Sequence, residues 1–122
     1  MKSKLLKLVN QLRLGNDVVY NPKTEQLNPD YGYLVGVNRS AEKHISVEVS
    51  DLRSYITRNK HQFYQLGRYL SIYHHDDGYI LNINELVDAE KEALVIAKVR
   101  KEQFVFDNTN KELIYLDKVV LN

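Results

Sequence analysis

The order of periodicities along the chain predicts an α+β fold: an antiparallel sheet of about five or six strands against about two or three helices. Three observations carry this. Two segments read as hairpins, three segments repeat at helical spacing, and the order helix, strands, helix, hairpin, helix, hairpin suits an antiparallel sheet with helices against it. At 122 residues the chain has the length of a single domain spanning 1–122, with one core.

Leu5, Leu8, Val9 and Leu12 recur at three- and four-residue spacing with lysines between them, and Gly15 follows to end the run. This is a short amphipathic helix. A brief strand at Val18–Tyr20, a loop punctuated by Pro22 and Pro29, and a strand from about Tyr31 to Val37 come next. The stretch "HISVEV" alternates, placing Ile45, Val47 and Val49 on one face of an expected strand, and Ser50 is placed to cap the helix after it. Leu52, Tyr55, Ile56, Phe63 and Leu66 mark the buried stripe of that helix, which Gly67 ends.

The stretch "SIYHHDDGYILNI" reads as a hairpin. A turn at Asp77-Gly78 sets Ile72 opposite Ile83, and a turn spanning His75 to Gly78 moves the pairing along. Either register puts Leu70, Ile72, Leu81 and Ile83 on one face, because facing depends only on parity. Asp88 is placed to cap a third helix reaching about Lys101, with a stripe at Ala89, Ala93, Ile96 and Ala97. A second hairpin turns at Asn108 to Lys111, pairing Phe106 with Leu113 and Phe104 with Tyr115, and its two apolar faces argue for an inner position.

Composition limits function. The formal charge of +1 supplies no strong field towards nucleic acid or an anionic membrane. No apolar run approaches the roughly 18 residues of a membrane span, and lysines interrupt the N-terminal leucines, so a cytoplasmic location and no membrane partner are expected. The lack of cysteine excludes disulfides, thiolate metal sites and cysteine nucleophiles. Neither a G-x-S-x-G elbow nor an H-E-x-x-H helix is present, so no enzyme and no cofactor is expected.

Four candidate features remain. The run His74-His75-Asp76-Asp77 has metal-ligand chemistry, which would suit a metal-dependent hydrolase with help from His44, His61 or a distant carboxylate. Adjacent strand residues point to opposite faces, however, and aspartate beside glycine suits a hairpin tip without any metal. The second face of the first hairpin carries Tyr69, Tyr73, His75, Asn82 and Asn84 beside Ser71 and Ile80, a mixture suited to binding a partner, although tyrosine is also simply a good strand residue. Nine tyrosines against three phenylalanines skew the aromatics towards rings with a hydrogen-bonding tip. Lys4, Lys7, Arg53, Arg58 and Lys60, together with Lys2 and Arg13, would form a phosphate-binding patch for nucleic acid or a nucleotide if the first two helices lie side by side. Gly32 and Gly36 lack the context of a nucleotide loop and suggest close packing against the alanine stripe.

In the last third, Glu92, Ala93, Leu94, Ala97 and Lys98 form an "EAL…AK" helix, and Gln103, Phe106 and Asp107 follow in a "Q-x-x-x-F-D" strand. This third resembles small uncharacterised accessory proteins of phages and mobile elements. The resemblance brings no catalytic residue and implies a protein acting on host machinery. The leading expectation is therefore a non-enzymatic interaction protein that docks on or inhibits a host protein through its tyrosine-bearing sheet face. A homo-oligomer stays open.

Overall fold

The computed structural model describes residues 2–118. The α+β class holds: four helices accompany one seven-stranded sheet in which every strand pair is antiparallel. The elements in chain order are α1 (Lys2–Arg13), β1 (Val18–Tyr20), β2 (Tyr33–Gly36), β3 (Glu42–His44), α2 (Val49–Arg58), α3 (Lys60–Phe63), β4 (Arg68–His75), β5 (Gly78–Val87), α4 (Glu90–Val99), β6 (Phe104–Asp107) and β7 (Glu112–Tyr115). The strand order is β1-β4-β5-β2-β6-β7, and β3 lies against β5 off this path. The strands exceed the expected five or six because the three-residue β1 and β3 both join the sheet.

Both hairpins form. In the first, Ile72 faces Leu81 and His75 faces Gly78, the register with its turn over His75–Gly78. Asp76, with φ 51°, takes the left-handed position, not a residue of Asp77-Gly78. Gly78 is needed for another reason: a Cβ there would overlap the carbonyl oxygen of His44, where β3 crosses close by. The second hairpin pairs Phe104 with Tyr115, Val105 with Ile114 and Phe106 with Leu113, as its sequence predicts. Of its two strands, β6 is the inner one and β7 forms an edge.

The expected strand over "HISVEV" does not form. β3 ends at His44, Ile45 is 91% exposed, and Val49 already belongs to α2. The helix start explains this, since Glu48 is the N-cap, not Ser50, and its backbone N–H donates to the Asp51 carboxylate at 2.8 Å. At α4 the N-cap is Ala89, not Asp88. The helix after Val49 breaks at Asn59, whose side chain donates to the Tyr55 carbonyl, and Leu66 of the expected stripe is exposed.

All four helices lie on one face of the sheet. One core cluster joins Leu5, Leu8, Val9 and Leu12 of α1 and Leu52, Tyr55 and Ile56 of α2 to Leu70, Ile72, Leu81 and Ile83 of the first hairpin. A second joins Ala93, Leu94 and Ala97 of α4 to Val35, Val87 and Val105. Leu81, Ile83, Glu85 and Val87 alternate along β5, and Val35 pairs with Glu85, so parity places both clusters on the same side. Charged groups stand between them: Arg100 donates to Glu85 at 2.6 Å, and Arg68 approaches the same oxygen at 3.9 Å.

Candidate functional site

Among the described residues every helix lies on one side, and none covers the opposite face of the sheet. It encloses a cavity of about 600 Å³, within the range of small-ligand and anchor pockets. Its floor comes from Leu34 and Gly36 of β2, Ser71 and Tyr73 of β4, and Asn82 and Asn84 of β5. Phe104, Phe106 and Leu113 of the second hairpin line one side, and Val19, Arg39 and Ser40 line another. Glu102, in the turn between α4 and β6, reaches in.

Local hydrogen bonds fix the polar lining. Asn84 donates its amide to the Ser71 hydroxyl at 2.5 Å, and the Ser40 hydroxyl meets both the Asn82 side-chain oxygen and the Val37 carbonyl. The Ser40 carbonyl in turn accepts from the buried Tyr55 hydroxyl at 2.5 Å, and burial pushes the Tyr55 pKa up. The loop over 37–40 is thus tied to the helical layer.

Glu102 is different. Its carboxylate takes the space that a side chain at Gly36 would fill, so the glycine serves this acid and not the alanine stripe of α4, as its sequence setting suggests. Burial raises the Glu102 pKa, with the charge of Arg100 opposing the rise, and no described residue hydrogen-bonds or ion-pairs with the carboxylate. The Tyr73 hydroxyl is held protonated by burial first, then by the neighbouring charges of Glu102 and Asp17.

The residues expected to bind a partner divide three ways. Tyr73, Asn82 and Asn84 come together in the cavity as their parity predicts. Tyr69 does not contribute: it is 2% exposed, and its hydroxyl donates to Gln26 of the β1–β2 loop at 2.6 Å. His75 is exposed at the hairpin tip, with Nε2 3.3 Å from Asp76. The residues that sequence reasoning missed are Glu102 and the apolar Leu34, Phe104 and Leu113. Gly36 within a strand was the available signal for the acid, because a strand glycine marks close approach of another group.

The histidine run does not converge. His74 faces the helical side, where its ring nitrogens meet the Asp17 carboxylate at 2.8 Å and the Leu12 carbonyl at 3.0 Å, while His75 lies on the other face. Both partners of His74 are acceptors, so the doubly protonated ring satisfies them together, and its pKa is raised chiefly by Asp17, with the Leu12 carbonyl adding. His44 is bonded to Glu42 at 2.9 Å. Among the described residues no group of three or more His, Asp or Glu is arranged to hold a metal ion.

Of the basic residues, Lys4 and Lys7 of α1 and Arg53 of α2 stand on helices that pack against one another. Arg58 does not join them as a phosphate ligand, because its guanidinium is engaged by both oxygens of Glu42 at 3.1 Å and holds that carboxyl below its usual range. Arg13 pairs with Glu48 at 3.0 Å, and Lys60 is exposed at the start of α3. The Lys2 side chain lies outside the described residues. No described helix is long and apolar enough to cross a membrane. No family model, curated protein or solved structure matches the chain.

Proposed function

We propose that the chain is a non-enzymatic protein-binding domain acting in the cytoplasm, and that it docks on a host protein through the concave face of its sheet. The observation that carries this reading is the one-sided layering: all helices cover one face, while the other presents a cavity bordered by Phe104 and Leu113, which are 37% and 41% exposed. An apolar border around a recessed pocket is the arrangement in which a few anchors supply most of an interface's affinity. The likeness of the last third to phage and mobile-element proteins supports a host protein as the partner.

Affinity capture from the source cell tests it. Phe104→Asp places a charge on the border, and a partner docked on this face is lost from that variant while Lys7→Glu/Arg53→Glu retains it. The second reading is a nucleic-acid-binding domain, favoured by the packing of α1 on α2 beside Lys4, Lys7 and Arg53. It requires the opposite pattern, together with affinity for short DNA or RNA that falls steeply with salt.

A further inference from the structure

The concave face holds one group that the fold itself leaves unanswered. Glu102 is partly buried beside Ser71, Asn82 and Asn84, which are neutral, and Arg100, the cation whose charge acts on it, is already committed to Glu85 and to the Gly36 carbonyl. Asp17, the other acid lining the cavity, is paired with His74. Lys101 and Arg39 also border the space, but both are exposed, where water and salt screen them. A recessed carboxylate without a protein partner, flanked by amide and hydroxyl oxygens, has the chemistry to receive a cation and its N–H donors.

We propose that the docking partner inserts a basic side chain, lysine or arginine, into this cavity, where the Glu102 carboxylate receives its charge and the side-chain oxygens of Ser71, Asn82 and Asn84 accept its remaining N–H groups. Phe104, Phe106 and Leu113 then lie along the aliphatic stem of that side chain. Gly36 is required because any larger residue would displace the carboxylate from the cavity. The inference rests on the docking reading above and adds what the site recognises.

The test uses N-acetyl-arginine amide and its uncharged isostere N-acetyl-citrulline amide, titrated against the full chain and followed by NMR at Ser71, Asn82, Asn84 and Glu102. Saturable shifts at these residues are expected with the arginine probe. Glu102→Gln, which keeps the shape and removes the charge, is expected to weaken binding on the order of tenfold, the scale of a charged hydrogen bond, while Glu102→Asp retains part of it. The citrulline probe is expected to bind the native chain as weakly as arginine binds Glu102→Gln. Equal affinity of the native chain for the two probes, or no shift at the cavity residues, overturns the proposal, and this comparison needs no variant to fold. A partner captured by Glu102→Gln but lost from Phe104→Asp would leave the docking face standing and remove the basic anchor alone.

Discussion

Along β5, Ile83 is sealed beneath α1 and α2, whereas Asn84, one residue on, lines a cavity on the uncovered side. The same strand thus takes part in two different environments, repeated at Leu81 and Asn82. On the helical face, branched aliphatic side chains fill the space, and between the two clusters Arg100 and Arg68 share the single carboxylate of Glu85. On the other face, amides and hydroxyls satisfy one another and one carboxylate stands without a partner among the described residues. The contrast teaches that close apolar packing and a polar cavity are separated by the thickness of one sheet, so adjacent residues of a strand can be altered to probe one without the other.

The sharpest way to break that contrast is to truncate both neighbours. Ile83→Ala is expected to cost about 3 kcal/mol in urea unfolding, the usual scale for emptying a fully buried aliphatic site, and Asn84→Ala about 1 kcal/mol for its bond to Ser71. Equal losses would show that the concave face is core rather than surface. Gly78→Ala comes next, at about 2 kcal/mol, because the added methyl meets the His44 backbone, which moves only with β3.

The smallest effect is that of pH on the link between α1 and the hairpin tip. His74 has a folded pKa above its ordinary 6.5, so the stability it adds is present in full below pH 6.5 and is lost as pH rises through the folded pKa. Asp17→Asn is expected to bring the His74 titration, followed by NMR, back towards 6.5 and to flatten that dependence. An unchanged His74 pKa in the variant would show that Asp17 is not its main partner.

Much of this arrangement is written in local pattern. Parity alone sorts Leu70, Ile72, Leu81 and Ile83 from Ser71, Tyr73, Asn82 and Asn84, because strand side chains alternate whatever the register. The second hairpin is legible to the residue, since its turn and its cross-strand rings agree on one pairing. "HISVEV" misleads because alternation is equally satisfied by a bend that buries Val47, exposes Ile45 and hands Glu48 to a helix start. Tyr69 misleads because a loop distant in sequence folds over it and supplies Gln26. Glu102 is a single acid in a turn, and only the tertiary path of the chain carries it over Gly36.

The long strand β5 has a further importance through the divided core. Its Leu81 and Ile83 belong to one aliphatic cluster and its Val87 to the other, with Glu85 at the boundary, and no other described strand supplies buried side chains to both. Among the described strands β5 alone therefore joins two separate apolar centres, and β2, α4 and β6 pack around the smaller of them. Leu34, Phe104 and Phe106, which line the cavity, stand on the strands that bring Val35 and Val105 to the smaller cluster, so the shape of that cavity depends on how well this cluster holds β2 and β6 in place.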